Sequence, residues 1–314
     1  DIALLLSATT HTQISIIEKM MKLVRIFSQS DELATRYKNH LIASAIMTIM
    51  YSNQGSASKR DEIFSIFNTC PTDDFNLNAI VQGIGYTRKL HECFLIDSTD
   101  QFSERVLLTE YVNKFIDPEL NKFEPDKLHY FTLSDLEKAL NFTLISEGWL
   151  RNENVYADAI TLKVKLHDLV IGSNAKFFDY KDFVRIDQYL GSLIVQDNKK
   201  FQIININLED VDDAFAKSIV KIFARLLMDF SKKIERGSMP FNILLEEAHR
   251  YVKKDQDEFL FGYNIFDRIA KEGRKYGIII SLISQRPVDI SETVISQCSN
   301  FLIFKMSHPR DIEY

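Results

Sequence analysis

The sequence predicts an α/β protein, with a parallel sheet flanked by helices in residues 183–314 and an all-helical region in residues 1–182. Two observations predict this division. In the first region apolar residues recur every three or four positions, as they do along one face of a helix. In the second region short apolar runs alternate with longer amphipathic stretches, the order typical of parallel strands covered by helices.

The first region contains a series of predicted helices. Ser134 and Glu137 have the spacing of a capping box, with which a helix begins, and Gly172 suits the end of the last helix in the series. No repeat of fixed period stands out, so we expect a helical bundle. The apolar residues that share one face of the first long helix are Ile14, Ile17, Met21, Val24 and Phe27.

The second region begins with two short β-rich runs, at 183–190 and 191–197. Long amphipathic helices are predicted at 211–237 and 257–277. The predicted strands are nearly continuous apolar runs, as expected when both faces of a sheet are covered. They are "FQIININL" (201–208), "FNILLEE" (241–247), "IIISLIS" (278–284) and "NFLIFKM" (300–306).

Composition excludes several classes of protein. A formal net charge of −6 and a pI near 5.7 argue against a globally basic nucleic-acid coat, so any nucleic-acid contact must be local. The three cysteines, Cys70, Cys93 and Cys298, form no CxxC pair, which argues against a disulfide framework or a zinc site. The same cysteine pattern makes a reducing cytoplasm the expected location, and no apolar run is long enough to span a membrane.

Two adjacent glutamates, Glu246 and Glu247, follow the predicted strand at 241–245. Parallel sheets place their sites at the carboxyl ends of strands. One carboxylate there can hold a hydrated Mg²⁺, and the next can orient or deprotonate an attacking water. The alternative is a solvated helix start, where acidic residues suit the helix dipole. The pair alone leaves both interpretations open.

Two further features have the same ambiguity. Arg274 and Lys275 are either cations at a helix C-terminus or a group that reaches a γ-phosphate on a neighbouring subunit. Gln285 either hydrogen-bonds a phosphate or water, or belongs to a polar turn that Pro287 enforces. Taken with the glutamates, we expect these residues to meet at one edge of the sheet.

The ordered set "EEAH", "EGRKYG", "SQRP" and "VISQCSN" closely resembles that of the HerA family of hexameric DNA-translocating ATPases, which share a RecA-like P-loop fold with FtsK. The resemblance covers roughly residues 200–310. It implies that residues 183–314 are the C-terminal half of a RecA-like core, a partial P-loop NTPase fold. Residues 1–182 resemble, less specifically, the family's large helical insertion.

The resemblance also implies a role for each matching residue. Glu246 stands at the first acidic position of Walker B, where it supports Mg²⁺ through water and so contributes to ATP binding. Glu247 is the general base and Gln285 the polar sensor. Arg274 is the arginine that acts in trans, with Lys275 as its helper at the nucleotide.

His249 follows the acidic pair as it does in the family. No second His lies at HExxH spacing. We therefore expect a structural or coupling role for this side chain and not a metal ligand.

The sequence contains neither GxxxxGKS nor GxxxxGKT, the loop that would hold the triphosphate and Mg²⁺. The chain is then either the C-terminal part of a longer protein or an inactive relic of an ATPase. The start at "DIALLL", without Met, favours the first explanation. We expect these residues alone to be inactive.

The resemblance implies an ATPase that uses ATP and Mg²⁺, forms a homo-hexamer and moves double-stranded DNA. A nuclease or other effector would be its partner in DNA processing or anti-phage defence. The alternative is a ring-forming scaffold that assembles and gates an effector enzyme, with little motor activity.

Candidate DNA contacts are Lys253 and Lys254, just after the acidic pair. Solvated surface charge is the competing interpretation for every basic residue considered. The other basic candidates are Lys199 and Lys200, in an expected hairpin turn, and Lys232, Lys233 and Arg236.

Overall fold

The computed structural model of the protein describes residues 1–122, 130–179, 182–196, 198–236, 238–253 and 262–305. The fold is mixed α/β and mostly helical, with small sheets. Two compact units are present, one of residues 10–183 and the other of residues 1–9 and 184–314. The first nine residues thus group with the unit that carries the parallel strands. The assignment of the two parts as an insertion and half of an ATPase core stays a prediction.

The unit of residues 10–183 is a helical assembly with one β-hairpin, which the sequence did not predict. Elements are numbered along the whole chain, and α1 (Ile2–Leu5) belongs to the other unit. The helices here are α2 (His11–Phe27), α3 (Glu32–Met50), α4 (Ser56–Thr69), α5 (Arg105–Asn113), α6 (Leu133–Ser146) and α7 (Glu153–Ile171). The antiparallel strands are β1 (Ile80–Gly83) and β2 (Tyr86–Lys89), and the 3₁₀ turns are Leu90–Phe94, Pro118–Lys122, Trp149–Arg151 and Ser173–Phe178.

Helix α2 begins at a polar junction with α7. The Thr10 hydroxyl accepts a hydrogen bond from the backbone N–H of Gln13 at 3.1 Å, which caps the helix. The same hydroxyl donates to Asp158 on α7 at 2.8 Å, and the buried Gln13 amide donates to the second carboxylate oxygen at 3.2 Å. One carboxylate therefore fixes the start of α2 against α7.

The second unit contains the other helices and strands of the described residues. Its elements after α1 are α8 (Ile186–Ile194), β3 (Val195–Gln196), β4 (Lys199–Lys200), α9 (Asp213–Lys233), β5 (Phe241–Leu245), α10 (Ile265–Glu272), β6 (Ile278–Leu282) and α11 (Glu292–Ser296). Its 3₁₀ turns are Ala248–Arg250, Gly273–Tyr276 and Pro287–Asp289.

Strands β5 and β6 form the predicted parallel pair, in register from Phe241 opposite Ile278 to Leu245 opposite Leu282. Their core-facing side chains pack with those of α9, α10 and α11, so helices cover one face of the pair. Leu244 and Ile279 are more than half exposed, so the expected cover on both faces is not present among the described residues. The buried residues of this core are Ala216, Ala224, Met228, Leu245, Ala248, Tyr251, Val252, Ile265, Phe266, Ile269, Ile278, Ile290 and Val294.

Two other predicted strands are wrong for the described residues. Neither 201–208 nor 300–305 is assigned to a strand or pairs with one in the described part of the chain, and residue 306 lies outside it. The side chains of Phe301, Leu302, Ile303 and Phe304 are 60% to 91% exposed. Apolar sequence favours a strand only where a neighbouring strand can satisfy its backbone groups.

The β-rich interpretation of 183–197 is also wrong for most of its length, because residues 186–194 form α8. Leu190 and Ile194, one helical turn apart, are buried, and Asp187 lies in the first turn, where a carboxylate stabilises the helix. A helix places these two side chains on one face. A strand would do the same, so their spacing alone does not distinguish the two structures. Across the described residues, no helix combines the length and apolar character needed to cross a membrane.

Candidate active site

The carboxyl ends of β5 and β6 are joined beyond the strands themselves. The backbone N–H of Ile283 donates to the carbonyl of Leu245 at 2.9 Å, and the N–H of Ala248 donates to the carbonyl of Ile283 at 2.9 Å. The two residues between, Glu246 and Glu247, form the turn after β5. Backbone pairing thus places this acidic turn directly against the end of β6.

Glu247 occupies the left-handed region of backbone space, with φ 49° and ψ 45°. For a residue other than glycine this conformation costs roughly 1–2 kcal/mol. The 3₁₀ turn Ala248–Arg250 begins directly after Glu247. Glu246, by contrast, is exposed to solvent at the same edge.

The Glu247 carboxylate has a partner for each oxygen. The side-chain amide of Gln285 donates to Oε1 at 3.2 Å, and Nδ1 of His249 lies 3.3 Å from Oε2. The Glu247 side chain nevertheless remains 44% exposed. The structure therefore brings together Glu247 and Gln285 at the end of neighbouring strands and leaves the carboxylate open to solvent.

His249 also contacts the end of β6. Its Nδ1 lies 3.2 Å from the hydroxyl of Ser284, and that hydroxyl accepts a hydrogen bond from the backbone N–H of Arg286 at 3.0 Å. The His249 side chain is 16% exposed. Sequence reasoning gave this histidine only a general structural or coupling role, and its spacing from Ser284 carries no signal for the contact.

The far side of the acidic turn is fixed to helix α9. Arg250 forms a hydrogen-bonded ion pair with Asp213 in the first turn of α9, and this hydrogen bond raises the pKa of the Arg250 guanidinium. The same guanidinium lies 5.6 Å from the centre of the Tyr251 ring. The turn is thus held by β6 on one side and by α9 on the other.

Arg274 and Lys275 lie elsewhere. Both are exposed in the 3₁₀ turn Gly273–Tyr276, which precedes β6, whereas Glu247 and Gln285 follow the ends of β5 and β6. Five strand residues span about 16 Å at roughly 3.3 Å per residue. Within a single chain these cations lie at the opposite ends of the strands from the glutamates. The expectation that the cations and the glutamates meet at one edge of the sheet is therefore wrong.

The turn that carries Arg274 is packed against the end of α9. The Tyr276 ring lies 5.8 Å from Nζ of Lys232 and 5.9 Å from the guanidinium carbon of Arg236. Gly273 is buried, and a Cβ there would approach the carbonyl oxygen of Ile278 to 2.9 Å. Glycine is therefore required where the turn passes β6.

The basic residues considered for DNA binding are dispersed. Lys253 is partly buried and its carbonyl accepts a hydrogen bond from the Asn264 side chain at 3.1 Å, while Lys254 lies outside the described residues. Lys199 is exposed on strand β4, whereas the sequence suggested that it lies in a hairpin turn. Lys233 is exposed at the end of α9.

A magnesium–nucleotide site is compatible with Glu246 on chemical grounds. Mg²⁺ at phosphate sites takes one or two carboxylates and keeps waters and phosphate oxygens as its other ligands. Glu246 supplies one exposed carboxylate at the edge where Glu247 and Gln285 converge. Among the described residues no three His, Cys, Asp or Glu side chains gather as a complete protein ligand set.

Comparison with known proteins gives one consistent result. No protein-family model matches the chain. Over 145 residues, 44% of this chain and 29% of the relative, it is 28% identical to the DNA double-strand break repair helicase HerA of Saccharolobus solfataricus. Over 153 residues, 47% of this chain and 30% of the relative, it is 33% identical to the protein of that name in Sulfurisphaera tokodaii.

A third relative belongs to another organism. The chain is 32% identical to a probable helicase of Methanocaldococcus jannaschii over 122 residues, 37% of this chain and 23% of the relative. The chain thus matches less than a third of the length of these curated relatives. The predicted resemblance to the HerA helicases is confirmed.

Proposed function

We propose that this HerA-like chain belongs to an ATPase that drives double-stranded DNA through a hexameric ring. The observation that carries the proposal is the pairing of Glu247 with Gln285 at the carboxyl edge of two parallel strands. A solvent-exposed carboxylate at the end of a strand, with an amide beside it, can orient a nucleophilic water and accept its proton. The relatives are named as DNA repair helicases, which supports an ATP-driven reaction on DNA.

The proposed fold is a RecA-like P-loop core. Its support is the parallel pair β5 and β6, covered by helices, with apolar residues exposed on the strands at Leu244 and Ile279. The exposed apolar segments 201–206 and 301–304 are of the composition that further strands of a wider sheet would need. The proposal requires a phosphate-binding loop from residues outside these 314.

The chain's own residues divide the proposed reaction between them. Glu246 would hold Mg²⁺ through a water molecule, and the bound ion would neutralise charge on the nucleotide phosphates. Glu247 accepts the proton of the attacking water, and Gln285 orients that water or a phosphate oxygen. Arg274, assisted by Lys275, stabilises the transition-state charge at the site of a neighbouring subunit.

The position of Arg274 supports the proposal that it acts in trans. A side chain at the amino edge of β6 is separated from Glu247 of its own chain by the length of the strand. A ring of identical subunits joined head to tail presents one edge of each subunit to the opposite edge of the next. A hexamer of this kind can complete each site with Arg274 from the neighbour.

The remaining parts of the proposal concern the cell. We propose a cytoplasmic motor that works with a nuclease or another effector in DNA processing or anti-phage defence. Lys253 and Lys254 are the proposed DNA contacts, because they follow the acidic pair in the sequence and lysines bind DNA phosphates. Each such phosphate contact contributes about −0.9 to the slope of log binding constant against log salt.

The test is the ATPase rate of the full-length protein with and without double-stranded DNA. We expect ATP hydrolysis that DNA accelerates and that falls with rising salt as DNA dissociates. A rate that neither DNA nor salt changes would favour the ring-forming scaffold instead. Absence of ATP binding by the full-length protein would favour an inactive paralogue and overturn the proposed activity.

A further inference from the structure

We propose that His249 is the positioning residue of the proposed base, holding the Glu247 carboxylate to the end of β6. The inference rests on the proposed function, since it gives Glu247 the role assigned to it there. Its observations are independent of any ligand: Nδ1 of His249 lies 3.3 Å from Oε2 of Glu247 and 3.2 Å from Oγ of Ser284.

We assign the His249 proton to Nδ1 from the partners of that nitrogen. An ionised carboxylate can only accept hydrogen bonds, so Nδ1 must carry hydrogen to bond Glu247. The Ser284 hydroxyl already accepts the N–H of Arg286, and its other lone pair can accept the same Nδ1–H. A shared Nδ1–H therefore bridges Glu247 and Ser284, and in the neutral ring Nε2 carries no hydrogen.

The two side chains joined by this bridge differ in burial. The His249 side chain is 16% exposed, whereas that of Glu247 is 44% exposed. Ala248, between them, is fully buried and is hydrogen-bonded through its N–H to Ile283. The ring is thus the more buried partner, and the carboxylate is the more exposed partner that it restrains.

Gln285 and His249 restrain different oxygens of the same carboxylate. Gln285 is exposed and bonds Oε1, and it is also the residue proposed to orient the water or the phosphate. An amide that turns toward water or phosphate can lose its bond to Oε1. The His249 bond to Oε2 then keeps Glu247 at the strand edge, which is why the histidine and not the glutamine is its positioning residue.

The first test compares three substitutions of His249 in the full-length protein. Asn places an amide N–H near the position of Nδ1–H, Gln places one near Nε2, and Ala removes both. We expect H249A and H249Q to lower kcat by roughly 10- to 100-fold, the scale of misplacing a catalytic group, with unchanged nucleotide affinity. H249N should recover most of that loss.

The second test is a double-mutant cycle with Glu247, read in two ways. For hydrolysis, H249A should cost little further activity in the E247Q background, because its effect passes through the carboxylate. For stability without nucleotide, H249A should lower Tm less in the E247A background than in the wild type. These two readouts separate positioning from general damage to the fold.

The outcomes distinguish this inference from the function it rests on. Equal kcat for H249A and wild type, or full additivity in both cycles, would overturn the role of His249 and leave the ATPase intact. Equal losses in H249N and H249A, together with a falling nucleotide affinity, would also overturn it. A wild-type protein that hydrolyses no ATP would instead overturn the proposed function.

Discussion

Gln285 donates a hydrogen bond to Glu247 over 3.2 Å, linking residues 38 positions apart at the ends of two adjacent parallel strands. The bond exists because β5 and β6 are in register to their last residues and continue to pair into the turn at Ala248. A shift of one residue in that register would move the two side chains to different faces. Strand register therefore brings Glu247 and Gln285 together.

The substitution Glu247→Gln tests the proposed base. It retains the shape of the side chain and removes the ionised oxygen, so kcat should fall by about 10²- to 10⁴-fold, the usual contribution of general base catalysis. ATP affinity, measured by equilibrium binding to the full-length protein, should stay within about twofold of wild type, since the proposed role of Glu247 is toward the attacking water and not the triphosphate.

A matched control is Glu209→Gln, which makes the same change at an exposed glutamate before α9. It should leave both kcat and affinity unchanged. Loss of nucleotide binding in Glu247→Gln equal to its loss of turnover would contradict the assignment of Glu247 as the base.

Arg274→Ala tests action across subunits. Its side chain is exposed at the edge of the sheet opposite Glu247, so we expect hydrolysis to fall by about 10³-fold or more, the scale reported for arginine fingers, while the ring still forms. Mixing Arg274→Ala subunits with Glu247→Gln subunits should restore part of the activity, because some mixed interfaces contain both native groups.

Lys271→Ala is the control for that experiment, since Lys271 is an exposed cation in the last turn of α10, three residues before Arg274. It should retain nearly full activity. An equal loss in Lys271→Ala, or mixtures no more active than the separate variants, would show that general charge at this edge matters and not Arg274 in trans.

The sequence predicted the parallel strand pair beside the candidate site better than the segments around it. The strands β5 and β6 and the helices on them were predictable, because each is a local pattern of apolar spacing with a clear end, such as Gly277 before β6. Segments 201–208 and 300–305 have the same composition but no described strand beside them. Composition reports what a segment can form, and pairing depends on a partner elsewhere.

Within the site the limits have the same origin. Glu246, Glu247 and Gln285 were predicted from their places at strand ends, which are local. The contact of His249 with Ser284 depends on the left-handed turn at Glu247, and no pattern in "EEAHR" indicates a positive φ at a glutamate. The edge at which Arg274 lies was mistaken because residues before a strand were grouped with those after it.

Thiol labelling tests burial in both units. Burial raises the pKa of the Cys70 thiol to about 12 and also raises the pKa of Cys93, and both side chains are largely or fully buried. Since the thiolate is the reactive form, both should resist alkylation at pH 8. Cys298 is only partly buried, so it should be modified first even though burial raises its pKa as well.

Peptide mapping by mass spectrometry after timed alkylation gives the order directly. Denaturant should abolish the difference between the three sites, which serves as the control for intrinsic reactivity. Rapid native labelling of Cys70 or Cys93 would contradict the packing of the helical unit.

Asp158→Ala should destabilise the unit of residues 10–183 because it removes two hydrogen bonds at once. The Thr10 hydroxyl and the buried Gln13 amide both donate hydrogen bonds to this carboxylate. Losing a hydrogen bond to a charged group costs about 1.5–3 kcal/mol. Asp168→Ala removes an exposed carboxylate from the same helix and should cost less than about 0.5 kcal/mol. Chemical denaturation followed by circular dichroism measures both, and equal midpoints for the two variants would show that the junction of α2 with α7 contributes nothing to stability.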